Sequence, residues 1–250
     1  MDEPKIVYED ENFVGISKPA GMLVHPTRTN ADNTQTNADQ RVRNQRESDT
    51  LVDWLLKKYP EMKNVGDDPS MRPGIVHRLD RETSGIMLAV RNQKYFDYFK
   101  SLFKEKQIKK TYLALVSGEP REKHGIIDKP IGIRNGSIKR SVHSKKMLKS
   151  AVTEYKVLKT FIFGGIPFSL LEVSPQTGRT HQIRVHLASI GHPIMGDPLY
   201  GGKKNAGLAK RLMLHAYSLE FSLPAQAGLP NGRRLRLEAD PEELFSVFEG

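Results

Sequence analysis

The chain has 250 residues and no cysteine, and its 39 lysines and arginines outnumber 29 aspartates and glutamates, for a formal net charge of +10. The lack of cysteine excludes disulfides, thiolate nucleophiles and cysteine-based zinc or iron–sulfur sites. The charge surplus favours polyanionic partners, whose phosphates release counterions when neutralised; a basic protein without such a partner is an equal alternative.

The sequence contains no run of about 18 apolar residues, so we expect no membrane-spanning helix. The first residues, MDEPKIVYEDEN, are acidic and lack the basic and apolar regions of a targeting segment. We therefore expect a cytoplasmic protein. No linker rich in proline, glycine and serine divides the chain, which predicts a single domain over residues 1–250.

At the amino end, Lys5–Tyr8 and Asn12–Ser17 have the pattern of short strands, and the loop KPAGMLVHP follows at 18–26. The next segment, 27–49, has no aromatic residue and only Val42 as a branched aliphatic. Such a segment buries too little apolar surface to offset the entropy of ordering it. We predict a mobile surface insertion there.

Three helices are predicted. The first begins after Asp49 or Thr50, the second is capped by Asn92, and the third spans Thr180–Ile190 and stops at Gly191. The first two have apolar faces at helical spacing, formed by Leu51, Val52, Leu55, Leu56 and Tyr59 and by Tyr95, Phe96, Phe99, Leu102 and Phe103. Aromatic residues at this spacing indicate core packing rather than a platform for stacking bases.

The remaining apolar runs have the pattern of strands. They are Ile75–Val76, Ile86–Val90, Thr111–Val116, Val152–Leu158, Phe168–Val173, Leu214–Leu219 and Arg234–Leu237. A basic stretch at Arg134–Lys149 contains Arg140, Lys145, Lys146 and Lys149, and is either a solvated face or a loop facing a nucleic acid. Strands and helices mix without a regular βαβ rhythm, which favours the α+β class.

A polar turn stands out in the segment Pro73–Val90, PGIVHRLDRETSGIMLAV. A turn between two buried strands is a place where a rigid scaffold presents reactive groups. The alternative is structural: Asp80 caps nearby backbone N–H groups or pairs with Arg78 or Arg81. Spacing alone favours the structural role.

A second polar segment, QTGRTHQIRVH at Gln176–His186, places Arg179, His181 and Arg184 around the start of the third helix. Arg184 lies one residue off the apolar stripe, so we expect its guanidinium to skirt the core. A buried arginine needs an anionic partner. Asp80 is one candidate among many acidic residues.

The histidines do not predict a metal site. His181, His186 and His192 are five and six residues apart, which is not the spacing of two ligands on one helix face, and His77 is remote in sequence. Without cysteines to complete a ligand set, we expect no metal.

Five segments together resemble the RluA family of pseudouridine synthases. HRLDRETSG at 77–85 is similar to the family's catalytic signature. The other similar segments, in family order, are KPAGMLVHP at 18–26, KTYLALVSG at 110–118, TGRTHQIRVHLASIGHPIMGDPLYG at 177–201 and LHAYSLEF at 214–221. The resemblance implies a mixed, largely antiparallel sheet with flanking helices and a central active-site cleft. We expect a stand-alone catalytic domain, without an S4-like domain before the first motif.

The resemblance also implies individual roles. Asp80 matches the catalytic aspartate, and Arg184 matches the arginine that pairs with it. Arg78 matches the arginine that enters the RNA stack, Tyr112 the tyrosine that packs against the flipped uracil, and Ile183 the apolar wall of the base pocket. Two further residues, Arg179 and His181, are expected to bind substrate, with His181 touching phosphate or orienting a neighbour.

The implied reaction isomerises uridine in structured RNA, ribosomal or transfer, without a cofactor. The target base must leave its stack, and an arginine beside the carboxylate favours its charged form. Whether the aspartate adds covalently or first removes a sugar proton stays open. We expect a monomer that needs RNA but no obligate protein partner.

Two other function classes compete with this interpretation. A binding module that lost catalysis would not need Asp80, Tyr112 and Arg184 together. A glycosidase or nucleoside hydrolase typically uses two carboxylates, and we interpret the nearby Glu82 as a turn residue. The product separates the three: pseudouridine, free uracil or neither.

Overall fold

The computed structural model describes residues 2–26, 50–133, 139–202, 209–224 and 232–241. The predicted insertion at 27–49 lies outside the described residues, and so does the start of the basic stretch at 134–138.

Side-chain caps begin two of the described helices. Helix α1 spans Leu51–Lys58, where the Thr50 hydroxyl accepts from the Asp53 backbone N–H and the Asp53 carboxylate accepts from the Thr50 N–H. Helix α2 spans Gln93–Lys104, and the Asn92 side chain accepts from the backbone N–H of the third helical residue. These bonds satisfy amide donors that a helix start leaves without partners. The predicted caps at Thr50 and Asn92 are confirmed.

The third helix is shorter than predicted. Helix α3 spans Gln182–Ser189, and its first flanking residue, His181, has a left-handed backbone with φ of 57°. The predicted start at Thr180 is therefore wrong by two residues. His181 also lines the cleft described below.

Strands make up most of the remaining structure. In chain order they are β1 (Lys5–Glu9), β2 (Phe13–Lys18), β3 (Ser84–Val90), β4 (Lys109–Ser117), β5 (His124–Asp128), β6 (Gly132–Ile133), β7 (Arg140–Ser141), β8 (Val152–Phe163), β9 (Ile166–Pro175), β10 (Leu214–Ser222) and β11 (Arg234–Glu238). In the described part of the chain, nine strands form one sheet in the order β1-β2-β3-β10-β4-β9-β8-β5, with β11 beside β10, while β6 and β7 form a separate pair.

Every strand pair in the large sheet is antiparallel except β3 with β10. With helices packed on the sheet, this confirms the α+β class and the largely antiparallel arrangement. One strand prediction is wrong, because Ile75 forms only an isolated bridge to Ala89. The adjacent Gly74, with φ of 69°, turns the chain there and ends any extended run.

Three strands were not predicted from sequence. The edge strand β5, HGIID, contains a glycine and has only one neighbour, β8, so it lacks the alternating pattern of a half-buried strand. Strands β6 and β7 have two residues each, too short for any periodicity to appear.

Two hydrophobic clusters flank the middle of the sheet. The first joins β2 and β3 to α1 and α2, and Phe13, Phe99 and Phe221 meet edge to face within it at centroid distances of 5.0–5.9 Å. The second joins β4 and β9 to α3. The predicted core role of the α2 aromatics is confirmed for Phe96 and Phe99, which are buried. No helix among the described residues is long and apolar enough to cross a membrane.

The parallel pairing of β3 with β10 brings distant motifs together. Ser84 and Gly85 lie opposite His215 and Ala216, so the strand that follows the polar turn adjoins the strand that carries the last motif. Gly85 has φ of 113°, and a Cβ there would overlap the backbone of Ala216. Only glycine permits both this backbone angle and the close approach of the two strands.

We therefore expect Gly85→Ala to lower the free energy of unfolding by about 3 kcal/mol or more, since neither backbone can move away without breaking the sheet. Gly191→Ala is the matched control, because Gly191 has φ of 87° but open space around it. The Gly191→Ala substitution should lower the free energy of unfolding by only about 1 kcal/mol. Urea denaturation measures both, and equal losses would contradict the role of close approach.

Candidate active site

A cleft of about 1030 Å³ opens beside the polar turn that precedes β3. It brings together all seven site residues predicted from the sequence: Arg78, Asp80, Tyr112, Arg179, His181, Ile183 and Arg184. These residues come from the turn, from β4 and from the start of α3. Their positions agree with the predicted site, while their individual roles stay predictions.

The loop that follows β2 holds the polar turn in place. The Gly21 N–H donates to the Arg81 carbonyl over 2.8 Å, and the Arg81 Nε donates to the Gly21 carbonyl over 3.0 Å. Lys18 lies beneath both, fully buried, and its Nζ donates to the carbonyls of Pro19, Met22 and Arg81. The loop and the turn are thus one hydrogen-bonded unit.

Burial lowers the pKa of Lys18 to about 7, although the negative charges of Glu82 and Asp80 oppose the shift. Three carbonyl acceptors match the three donors of an ammonium group, whereas a neutral amine could satisfy only two. These bonds therefore offset only part of the cost of burying the charge, and the sequence analysis did not identify this residue as part of the site.

Asp80 occupies the floor of the cleft. Its Oδ2 lies 3.4 Å from the Nη1 of Arg184, and its side chain is 21% exposed, against 1% for Arg184. The carboxylate therefore faces the cleft while its partner lies in the protein interior. The same Nη1 lies 3.6 Å from the Oε2 of Glu82, so two carboxylates share one nitrogen.

Arg184 has a stronger partner than Asp80. Its Nε and Nη2 donate to both oxygens of Asp197 over 2.8 Å, and the Asp197 carboxylate also accepts from the N–H groups of Leu199 and Tyr200. Burial alone would lower the pKa of Arg184, but the hydrogen bonds and charge of Asp197 outweigh it and raise that pKa. Burial opposes ionisation of Asp197 as well, yet Arg184 keeps the pKa of Asp197 below its usual value.

This pairing corrects one expectation. The guanidinium of Arg184 does not skirt the core but is buried in it, and a bidentate carboxylate makes that burial possible. The sequence analysis missed Asp197, although it lies in the GDPLYG portion of the third motif. A buried arginine signals that some carboxylate must be near it, but local spacing does not say which one.

His181 approaches Asp80 from the other side. Its Nε2 lies 4.0 Å from the Asp80 Oδ2, and its Nδ1 lies 3.0 Å from the hydroxyl of Tyr200. Burial lowers the pKa of His181, with a smaller opposing effect from Asp80. A neutral imidazole that faces a carboxylate is placed to orient a neighbour. Contact with phosphate stays a prediction.

Tyr112 and Ile183 form apolar surfaces of the cleft. Tyr112 is half-buried on β4, and burial, assisted by the charge of Asp80, raises the pKa of its phenol. The hydroxyl therefore stays protonated at neutral pH. Ile183 is buried in the first turn of α3. An aromatic face and a branched aliphatic beside a carboxylate suit a flat base.

The two other predicted arginines are exposed at the rim. Arg78 donates from Nη1 to the Nε2 of His25 over 3.2 Å, and Arg179 donates from Nε to the Ser150 carbonyl over 3.0 Å. Neither forms an ion pair with another described residue, so both keep their charge available to a partner that enters the cleft.

The histidines considered for a metal site have other contacts. His77 accepts from the Leu88 N–H and stacks on Phe103, and burial lowers its pKa to about 3. His186 lies in hydrogen-bond distance of Thr153 and of the Lys129 carbonyl. Within the described ranges no three histidines and carboxylates are grouped as metal ligands.

The family of this chain follows from comparison with known proteins. A family model described as RNA pseudouridylate synthase matches residues 12–189. The chain belongs to the RNA pseudouridylate synthase family. The resemblance noted in the sequence is thereby confirmed, and the match includes the polar turn, β4 and α3.

Curated relatives agree with this assignment. The ribosomal large subunit pseudouridine synthase D of Borreliella burgdorferi is 36% identical over 218 residues, 87% of this chain and 61% of that protein. An uncharacterized RNA pseudouridine synthase of Aquifex aeolicus is 38% identical over 97% of this chain and 71% of that protein. The chain thus spans about three fifths to seven tenths of the length of these relatives.

A solved structure has the same fold. Human RNA pseudouridylate synthase domain containing 1 superposes with a TM-score of 0.71 at 25% identity, covering 98% of this chain and 87% of that one. The mixed sheet described above is therefore the pseudouridylate synthase fold.

In this pseudouridylate synthase chain, we expect Arg184→Met to lower the free energy of unfolding by about 3–5 kcal/mol, because Asp197 is left buried without a counter-charge. Asp80→Asn should lower the free energy of unfolding by less than about 1 kcal/mol, because the buried charge of Arg184 is still paired with Asp197. The double variant Arg184→Met/Asp197→Leu should recover most of the loss. Urea denaturation measures all three, and equal stability of the two single variants would refute the assignment of Asp197 as the main partner.

Lys18 predicts a pH-dependent stability. Its pKa in the folded protein, about 7, lies below the ordinary value of 10.5, so between these values the unfolded chain binds more protons and stability rises with pH. Relative to Lys18→Met, the wild type should therefore lose a few kcal/mol as pH falls from about 10 toward 7, and no more below 7. Denaturation across pH measures this difference. Lys123→Met, at an exposed lysine, should show no such trend, and a pH-independent difference for Lys18→Met would contradict the argument.

Proposed function

We propose that this chain is an RNA pseudouridine synthase that isomerises uridine in structured RNA, with Asp80 as the catalytic carboxylate. The observation that carries the proposal is the position of Asp80 on the floor of the cleft, 3.4 Å from a buried arginine that already has its own counter-ion. The Asp197 pair holds Arg184 in place whether or not a substrate is bound. Asp80 therefore faces the cleft with a fixed positive charge behind it.

The reaction exchanges one bond to C1′ for another. The N1–C1′ bond breaks, the uracil turns, and C5–C1′ forms, while the proton lost from C5 is balanced by one gained at N1. An ionised Asp80 either adds to C1′ or removes a sugar proton, and both routes use the same oxygen facing the cleft. The reaction is neutral in electrons, so Asp80 needs no redox partner and we propose no cofactor.

The walls of the cleft suit an extruded base. Tyr112 offers an aromatic face and Ile183 an apolar one to the cleft, and Arg78 is proposed to occupy the space that the base vacates in the stack. Extrusion costs a few kcal/mol, which stacking on the tyrosine and contacts to the backbone offset. Lysines and arginines along the cleft, Arg72, Lys104, Lys106, Lys109 and Arg179, provide those backbone contacts.

The substrate is proposed to be ribosomal or transfer RNA. Relatives from Borreliella burgdorferi and Nitrosomonas europaea are named ribosomal large subunit pseudouridine synthase D. Large-subunit ribosomal RNA is therefore the first substrate to test. We propose that the enzyme acts in the cytoplasm as a monomer, as a single catalytic domain and without an obligate protein partner.

One observation supports a rival. Glu82 shares the Arg184 Nη1 with Asp80, and a hydrolase of glycosidic bonds typically uses two carboxylates. The side chain of Glu82 is 41% exposed, so it faces solvent more than the cleft floor. A hydrolase would release uracil from RNA, whereas an isomerase leaves the RNA chain at the same mass.

We expect Asp80→Asn to lower pseudouridine formation at least about a thousandfold, while RNA affinity changes less than about threefold, because the amide keeps the shape but not the charge. Glu82→Gln is the matched control and should keep at least about a third of the activity. Nucleoside chromatography of digested RNA gives the product, and filter binding gives the affinity. Release of uracil, or equal loss in both variants, would favour the hydrolase.

A further inference from the structure

Tyr200 contacts three parts of the molecule at once, and the proposed reaction gives it no role. Its hydroxyl oxygen accepts from the Arg140 backbone N–H over 2.8 Å and lies 3.0 Å from the Nδ1 of His181. The guanidinium carbon of Arg184 lies over its ring, 5.4 Å from the centroid. Its own backbone N–H donates to the Asp197 carboxylate. Tyr200 therefore adjoins each charged group beneath Asp80.

The direction of these hydrogen bonds can be assigned from the donors available. The Arg140 N–H can only donate, so the Tyr200 oxygen accepts there and its O–H is free to donate to the Nδ1 of His181. In the neutral imidazole the proton then lies on Nε2, which faces the Asp80 Oδ2 at 4.0 Å. A chain of polar contacts thus runs from the Arg140 backbone through Tyr200 and His181 to Asp80.

Arg140 belongs to a small unit that we call the basic hairpin, residues 131–133 and 139–149. Ile131 bridges to Lys149, the Ile133 N–H donates to the Lys146 carbonyl, and the Ser144 hydroxyl donates to the Ile133 carbonyl. These bonds are internal to the hairpin, and β6 and β7 pair only with each other in the described structure. The hairpin meets the rest of the molecule where Ile131 and Val142 pack with Val185 and Tyr200, and through the bond from Arg140 to Tyr200.

The outer surface of the basic hairpin suits a polyanion. Lys145, Lys146 and Lys149 are exposed, and none of them has a carboxylate within ion-pair distance among the described residues. Exposed Met147 and Leu148 lie between these lysines. Exposed cations next to exposed apolar side chains suit a nucleic-acid strand, which offers both phosphates and base faces. None of these residues lines the cleft.

We propose that Tyr200 is a positioning residue that couples RNA bound on the basic hairpin to the orientation of His181 beside Asp80. The inference rests on the proposed function, because it presumes that RNA is the substrate. RNA bound on the hairpin surface holds the hairpin, and with it the bond from Arg140 to the Tyr200 hydroxyl, in place. That bond sets the orientation of the His181 ring beside Asp80, so RNA held outside the cleft also acts on a group next to the catalytic carboxylate, while Asp197 keeps Arg184 fixed.

Two substitutions separate the parts of this coupling. Tyr200→Phe keeps the ring against Arg184 but loses both hydroxyl contacts, while Lys145→Gln/Lys146→Gln removes charge from the hairpin surface without touching the cleft. Tyr98→Phe is the matched control: its hydroxyl donates to the Ser222 carbonyl over 2.8 Å, and it does not line the cleft.

The experiment is a double-mutant cycle on single-turnover rates with enzyme in excess over a ribosomal RNA transcript, so that the chemical step is measured apart from binding. We expect Tyr200→Phe to lower the rate about five- to tenfold with RNA affinity unchanged within about twofold, as for the loss of one or two hydrogen bonds. The hairpin variant should lower the rate about threefold or more when Tyr200 is present, and it should have almost no further effect when it is combined with Tyr200→Phe. Tyr98→Phe should match the wild type.

Additive effects in the cycle, or a Tyr200→Phe rate equal to that of Tyr98→Phe, would overturn the coupling while leaving the proposed function intact. A wild type that forms no pseudouridine would instead defeat the proposed function itself. If thermal unfolding shows that Tyr200→Phe does not fold, His181→Gln interrupts the same chain at its next member. The same non-additivity with the hairpin variant is then expected, and additivity there counts against the proposal equally.

Discussion

The ion pair between Arg184 and Asp197 is the interaction on which the rest of the site depends. Both side chains are almost completely removed from solvent, and neither charge would be tolerable there without the other. Because Asp197 takes two guanidinium nitrogens, the third is left pointing at the cleft floor, where Asp80 and Glu82 meet it. Asp197, in the loop after α3, therefore fixes the position of the Arg184 guanidinium. The remaining nitrogen of that guanidinium faces the carboxylates of Asp80 and Glu82.

The polar turn that carries Asp80 is held by contacts to other segments of the chain. Lys18 ties the loop after β2 to the Arg81 carbonyl, and Gly85 lets β3 lie against β10. Each contact joins segments that are far apart in the sequence. The position of the carboxylate that we assign to catalysis is consequently set by contacts between segments that are far apart in the sequence.

Sequence patterns predicted most of what is local. The caps at Thr50 and Asn92, the apolar faces of two helices and the main strands follow from periodicity and from the preferences of individual side chains. Tertiary pairing was harder to predict: nothing in the spacing of the third motif distinguishes Asp197 from other acidic residues as the partner of Arg184, and Lys18 has the pattern of an ordinary surface lysine. The edge strand β5 and the two-residue strands β6 and β7 form by pairing with neighbouring strands. Their own sequences show no alternation of apolar and polar residues from which a strand could be predicted. The resemblance to a family located Asp80, where spacing alone favoured a structural role.

The parallel pairing of β3 with β10 has a consequence for synthesis on the ribosome. The strand that follows the polar turn is complete at Val90, but its partner β10 begins only at Leu214, and Arg184 and Asp197 also emerge long after the turn. A nascent chain shorter than this can build the α1–α2 side of the sheet yet has nothing to place against Ser84 and Gly85. Contacts of such sequence separation form late and slowly. The proposed active site therefore needs residues from both halves of the chain, and an amino-terminal fragment that ends before Leu214 lacks part of it.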